Sequence, residues 1–509
     1  MTDSGLEALV QTTAGTVRGR WRTDFAGNLS ASFLGIPFAE APVGDLRFEA
    51  PVPHGPWKGV RDAGEMGATP QRRPYADVTA IPEPSFPGDS TLNLNVFSPS
   101  PSRTDQPLPV LVWIHGGGFI AGSPASPWYD GRAFTRDGVV TVNVSYRLGF
   151  DGFGWISNAP SNRGIRDWLL ALEWVQANIA AFGGDPSRVT IGGQSAGGGA
   201  VLTLLAMPQA QHLFHRVLAV SPSATAVPAE RAEAIARRMA ELRDVEVTKQ
   251  GFSTIADEDL RDLFDRAVDS DSDSYGPADA VAQLRSMASA APSGPMLDGD
   301  LVTQPVVDAI RQGIGRDKAL VIGTTDDEFS GALDDMRTKL RFFPARSVLR
   351  AMGAPAEVRD RYVRANLDVR ARGVAATAGR YLTDVVFRAP SLAIVRARSG
   401  AATGSTAGAP TWLYRFAWRS PVTGYAAHCL DVPFWFDCLA DTSVPALAGS
   451  STPQALASEM HARAVEFVLS GEAGWPAWNT GSNSDRVFDD PSYTEINGYA
   501  GAAPLLPSV

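Results

Sequence analysis

Cysteine is nearly missing from this chain. Cys429 and Cys438 are the only two among 509 residues, too few for a disulfide framework or a cysteine-based metal cluster. As free thiols they are expected to be buried and inert. Long apolar runs are missing as well: none reaches the roughly 18 to 20 residues that span a bilayer, so no membrane partner is expected. The start, MTDSGLEALVQTT, has no basic stretch leading into an apolar one, which gives no secretory signal and favours a cytoplasmic protein. Histidine is scarce, with six copies. Lys and Arg number 45 against 55 Asp and Glu, a net charge of −10 with no long basic stripe. On that balance nucleic acid and anionic membrane are poor partners.

What remains is the composition of a globular protein, 44% hydrophobic and 20% charged. QTTAGTVRGRW, with Gly15 between β-formers, predicts a hairpin. Short apolar runs follow: PVLVWI (Pro109 to Ile114), VVTVNVSY (Val139 to Tyr146), RVTIGG from Arg188, RVLAVS (Arg216 to Ser221), ALVIG (Ala319 to Gly323) and TWLYRFAW (Thr411 to Trp418). Unbroken runs of that length suit central strands covered on both faces. IRDWLLALEWVQANIAAF sets Trp168, Leu172 and Val175 on one helical face and stops before FGGDP, where Gly183, Gly184 and Pro186 oppose continuation. From Pro228 to about Ala290 the pattern is charged and helical, and it includes the acidic, serine-rich DSDSDSYGPADA, expected to be a surface loop. SGAATGSTAGAP (Ser399 to Pro410) reads as a linker. Strands alternating with helices predict one α/β domain over residues 1–509, with a helical insertion at about 228–290.

Chemistry concentrates in RVTIGGQSAGGGAVLTLLA. Gly193-Gln194-Ser195-Ala196-Gly197 is the chain's single G-x-S-x-G. A strand precedes it and an apolar helix follows, the context of a nucleophile elbow that exposes a serine hydroxyl on a tight turn. The spacings of phosphate-binding glycine loops are absent there. A serine needs a base to take its proton. His54, His115, His212 and His215 are poorly placed for it, and His461 belongs to a helical pattern as a surface or packing residue. His428, in GYAAHCLDVPFWF, is the candidate. The third member is a carboxylate that holds the imidazole, and in ALVIGTTDDE the residues Asp326, Asp327 and Glu328 all qualify. VWIHGGGF places Gly116, Gly117 and Gly118 after a strand, where backbone N–H groups can approach an oxyanion.

These segments, with LGIPFAEAPVGDLRF, VNVSYRLG and AAHCLDVPFWF, resemble the type-B carboxylesterases, from about Gly15 to Phe467. The resemblance implies an α/β-hydrolase fold: a large, mostly parallel central sheet with helices on both faces and helical insertions over the active site. It implies hydrolysis of a small-molecule carboxylic ester with no metal or cofactor. By the same resemblance Ser195 is the nucleophile, His428 the base, Glu328 the acid, and the N–H groups of Gly117, Gly118 and Ala196 the oxyanion hole. Structural ion pairs map to Arg147 with Asp167 and to Arg47 with Asp89. This chain departs from the family at three places: Gln194 stands for a glutamate, Phe329 for a glycine, and Thr91 for a disulfide cysteine. A neutral Gln194 should let His428 titrate lower than a glutamate would, or else simply hydrogen-bond a neighbour. Activity is expected to fall below about pH 6.5 as the base protonates. The loops near Trp128, Phe153, Phe329 and Trp435 are expected to shape the pocket. The same machinery would serve carbamates or amides, and a non-catalytic binding protein of this fold is the remaining alternative.

Overall fold

The computed structural model describes residues 7–23, 27–70, 74, 79–101, 105–223, 226–269, 293–400 and 408–506. The apolar runs lie side by side in it as one large sheet. In chain order the first strands are β1 (Glu7–Gln11), β2 (Thr16–Thr23), β3 (Leu29–Pro37), β4 (Val60–Asp62), β5 (Asn93–Ser98), β6 (Leu108–Ile114), β7 (Val140–Val144) and β8 (Gly184–Gln194). After them come β9 (Arg216–Val220), β10 (Val227–Pro228), β11 (Met296–Leu297), β12 (Ala319–Thr325), β13 (Thr411–Phe416), β14 (Ser484–Phe488) and β15 (Tyr493–Ile496). Their order across the sheet is β1-β2-β3-β5-β7-β6-β8-β9-β12-β13-β14-β15, with β4 beside β2, while β10 and β11 form a separate pair. From β7 to β14 every neighbour is parallel. The expected hairpin at Gly15 joins β1 to β2 antiparallel, Gln11 facing Thr16.

Both faces of the central strands are covered, which explains their unbroken apolar runs. Along β6, Val110, Val112 and Ile114 enter one core with the helices Arg163–Asn178 and Ala196–Leu205. Leu111 and Trp113 point the other way, into a second core with the helix Gln454–Ser470. Trp168, Leu172 and Val175 are all buried, as the helical pattern predicts. That helix ends at Asn178 in a short turn, Ile179–Phe182; Gly183 takes φ 81° and the chain enters β8 at Gly184.

Two helical units flank the sheet. Helices Ala229–Arg243 and Asp257–Asp269 bury Ile235, Met239, Leu263 and Phe264 against Phe48, Phe150 and Ile156. Residues 270–290 of the expected insertion, with most of the serine-rich stretch, lie outside the described residues. So do residues 401–407 of the expected linker. The second unit, residues 337–383, is a set of short helices that the hydrophobic pattern did not single out. Among the described residues no helix is long and apolar enough to cross a membrane.

One expected ion pair forms and the other does not. Arg147 and Asp167 meet at 2.7 Å, both buried, and Arg147 also donates to the carbonyl oxygen of Glu49. Arg47 turns away from Asp89, which is exposed. It meets Asp257 at 2.7 Å and Asp151 at 3.4 Å, and donates to the carbonyl of Ile255. Asp257 and Ile255 come from the start of the Asp257 helix and the residues just before it, and Asp151 from the helix Gly149–Phe153, so the insertion supplies most of what replaces the partner expected from the N-terminal loop.

Candidate active site

β8 runs under the sheet's cover as far as Gln194, and the next residue breaks out. Ser195 takes φ 58° and ψ −119°, a strained conformation for a residue with a side chain. It is half-buried between the fully buried Gln194 and Ala196. The turn is fixed on both sides: Ser195 N–H donates to Val220, and its carbonyl accepts from Gly199 and Ser223. A Cβ on Gly197 would overlap the Ile114 carbonyl. Glycine is needed there because the elbow packs directly against the end of β6.

Opposite the serine stands His428, in the loop after β13. Its Nε2 is 2.9 Å from Ser195 Oγ, and its Nδ1 is 2.5 Å from Glu328 Oε2. The carboxylate itself is anchored: Oε1 accepts from Thr325 N–H at 2.8 Å, and the Glu328 carbonyl accepts from His428 N–H at 3.1 Å. The three acidic candidates are thereby separated. Asp326 forms a two-bond pair with Arg415, at 2.8 and 2.7 Å. Asp327 is buried between Arg419 at 3.3 Å and Arg380 at 3.6 Å. Only Glu328 faces the imidazole.

The glycine loop after β6 completes the arrangement. Gly117 (φ 111°) and Gly118 (φ 63°) take conformations open to glycine, and a Cβ on Gly117 would run into the backbone at Ala121. Among the described residues no hydrogen bond uses the N–H of Gly117 or Gly118. Ala196 opens a helix, where the first N–H groups have no partner within the helix. These are the three donors named from the sequence.

The departures have concrete surroundings. Gln194 Nε2 lies 3.2 Å from His428 Nε2 and donates to Cys429 Sγ at 3.3 Å, so the amide does bond a neighbour. Phe329 sits at φ −117°, ordinary backbone, so its place in the chain does not demand glycine. Its ring lies 5.4 Å from the His428 ring, and Phe387 approaches the same imidazole at 4.8 Å. Of the four aromatics expected near the pocket, Phe329 alone stands beside His428. Trp128 and Trp435 are buried in the second core, and Phe153 packs on Phe119 and Trp168. Cys438 is buried, whereas Cys429 is half-buried beside Gln194. His461 is a packing histidine, its ring nitrogens on Trp435 O and Asp137.

Burial works against a charged imidazole at 428, but Cys429 and Glu328 outweigh it and hold the group well above the ordinary histidine range. One neighbour was missed by the sequence reading. Asp431 is buried, accepts from the Tyr414 hydroxyl at 3.2 Å, and is pushed up to about 7 by burial and by the charge of Glu328. Its signal was a carboxylate inside the apolar run CLDVPFWF.

The sheet, with a serine turn at the end of a central parallel strand, is that of the α/β-hydrolases. The sequence pattern of the Carboxylesterase family matches residues 6–488, and the chain belongs to that family. It is a carboxylic-ester hydrolase. The chain is similar to the para-nitrobenzyl esterase of Bacillus subtilis, 31% identical over 89% of this chain and 90% of that one. It is also similar to the fumonisin B1 esterase of Sphingopyxis macrogoltabida, 32% identical over 87% and 81%. Among solved structures, a carboxylesterase of Geobacillus stearothermophilus superposes with a TM-score of 0.80 at 30% identity, covering 98% of this chain and all of that one.

Proposed function

We propose that Ser195, His428 and Glu328 carry ester hydrolysis in two steps through an acyl-enzyme. The supporting observation is the continuous contact from Ser195 Oγ through both imidazole nitrogens to a buried, anchored carboxylate. Ser195 Oγ attacks the ester carbonyl carbon while its proton passes to His428 Nε2, and Glu328 stabilises the imidazolium. The carbonyl oxygen, now negative, is held by the N–H groups of Gly117, Gly118 and Ala196, each such donor contributing about 10² to 10³ in rate. The imidazolium then returns its proton to the departing alkoxide oxygen. Water, deprotonated by the same nitrogen, attacks the acyl carbon and releases the acid and the serine.

The substrate class that suits this site is a small to medium uncharged ester. Gln194 is neutral where a carboxylate would attract cations, and Phe329 and Phe387 offer aromatic surface beside the base. We take residues 1–509 to work as one catalytic unit, since the triad draws on β8, on the loop after β12 and on the loop after β13. The two free thiols suit a reducing compartment such as the cytoplasm. Ser195→Ala tests the assignment: kcat should fall by several orders of magnitude, with unchanged thermal unfolding and loss of labelling by an organophosphate probe. Retained ester turnover would refute it.

A further inference from the structure

The total charge of −10 conceals one strongly basic segment. Residues 337–372 hold ten Lys or Arg against three Asp or Glu, a balance of +7, so the remaining residues together carry −17. The whole-chain balance argued against an anionic partner, but the local distribution reverses that. The segment folds as Arg337–Leu340, Ala345–Ala351, Ala356–Ala365 and Leu367–Ala371, short helices packed with Val374–Thr383. Their apolar side chains, among them Leu340, Leu349, Met352, Tyr362 and Leu382, close into a small core of their own. The cations are left outside. Arg337 pairs with Asp334 and Arg346 with Asp360. Among the described residues no carboxylate lies within ion-pair reach of Lys339, Arg341, Arg350, Arg364, Arg370 or Arg372, all of them exposed.

Between the first two helices the chain presents adjacent phenylalanines to solvent. Phe342 is 74% exposed, more than any other large apolar side chain among the described residues, and Phe343 is 56% exposed. The Arg341 guanidinium stands 4.6 Å from the Phe342 ring centre. Burial in the core beside Leu340 would have been favourable, so leaving both rings in water costs the fold stability that another contact could recover.

We propose that this outer face docks on an anionic lipid surface. Cations alone would suit any polyanion, but the aromatic pair favours lipid. Rings flanked by arginine partition into the boundary between headgroups and acyl chains. A ring with three-quarters of its surface open has no groove walls to hold a stacked base, as single-stranded nucleic acid requires. The strongly negative remainder is repelled by the same membrane, so a single orientation is favoured. The docked unit also touches the active site. Phe329 packs on its core and on His428, and Arg337 reaches the hydroxyl of Tyr425, three residues before His428.

The test is flotation of the full chain with phosphatidylcholine vesicles, with and without phosphatidylglycerol, at low and high salt. Binding is expected only with the anionic lipid and should be lost at high salt. Arg341→Gln, Arg350→Gln and Arg364→Gln should each lower the partition coefficient about five-fold. Phe342→Ser combined with Phe343→Ser should lower it at least ten-fold while leaving all cations in place. Every variant should keep the wild-type unfolding temperature and the wild-type rate on a short, water-soluble ester. The proposal is overturned by absence of binding to the anionic vesicles, by equal binding to neutral ones, or by a phenylalanine variant that binds like wild type. Tighter binding to an oligonucleotide than to the vesicles would overturn it too, assigning the face to nucleic acid.

Discussion

Replacing Gln194 by glutamate is the most informative single change at the base. The amide nitrogen lies 3.2 Å from His428 Nε2, so a carboxylate oxygen at the same point would attract the imidazolium directly. At an effective dielectric of about 20, that separation corresponds to ~5 kcal/mol of attraction. Burying the new carboxylate takes back part of it, because residue 194 is only 1% exposed. The remainder should raise the imidazole pKa by about 1 to 3 pH units, the usual effect of an opposite charge at such range. His428 already titrates well above the ordinary histidine range, which moves the fall in activity upward from the pH 6.5 expected on sequence grounds. Since catalysis needs the neutral base, Gln194→Glu should carry that fall higher still, and at a fixed pH on the acidic limb kcat/KM should drop at least ten-fold. The assay is kcat/KM against pH with an uncharged p-nitrophenyl ester, at constant ionic strength. The alkaline plateau should stay within several-fold of wild type, because the contacts of Ser195 and Glu328 with the ring are not altered. An acidic limb at the wild-type position, in a variant with normal unfolding, would refute the argument.

Two further changes probe the same site. Gly117→Ala places a Cβ against the backbone at Ala121 at φ 111°, so it should displace a donor and lower kcat by about 10² to 10³ with KM little changed; steady-state kinetics decide. Glu328→Gln removes the carboxylate from Nδ1 and should lower kcat by about 10⁴. It also removes a charge that raises His428. A raised folded-state pKa contributes stability that is fully present below the unfolded value near 6.5 and is lost as pH rises through the folded one. The unfolding temperature of Glu328→Gln should therefore trail wild type more at pH 5 than at pH 9, and scanning calorimetry at both would show it.

Much of the fold was legible because its cause is local. The unbroken apolar runs of β6, β7, β8, β9 and β12 announce strands covered on two faces, and their burial on both sides of the sheet bears this out. The serine turn was legible because glycines at 193 and 197 are required by the approach of β6. Which of Asp326, Asp327 and Glu328 faces His428 could not be read from their own neighbourhood. The choice is made by Arg415, Arg380 and Arg419, which come from distant parts of the chain and take the first two. Arg47 failed for the same reason: its partner Asp257 lies 210 positions away, at the start of a helix whose apolar stripe announces a helix but not which arginine it meets. The helices of residues 337–383 were missed because three of the five have seven residues or fewer, and their core forms only when they pack together. Phe329 stands where the family has a glycine, yet its backbone is ordinary and its ring packs beside the His428 ring.

Asp431 extends the argument from the triad to what lies behind it. Its carboxyl is fully buried, has one oxygen on the Tyr414 hydroxyl, and has no hydrogen-bond partner for Oδ1. Burial and the nearby Glu328 push it up to about 7, against roughly 4 for a free side chain. At ~1.4 kcal/mol per pH unit, holding it ionised in the fold at pH 8 costs on the order of 4 kcal/mol. The sign follows from the raised value. The proton-bound form is favoured in the fold, so this group's stabilisation is complete below about pH 4 and is lost as pH climbs through 7. Asp431→Asn keeps the shape and can still accept from Tyr414, but carries no charge at any pH. The variant should therefore unfold at nearly the wild-type temperature at pH 4 and be clearly the more stable protein at pH 8. A difference between the two proteins that stays flat from pH 4 to 8 would show that Asp431 ionises without cost, and that its burial does not govern the charge behind the catalytic pair.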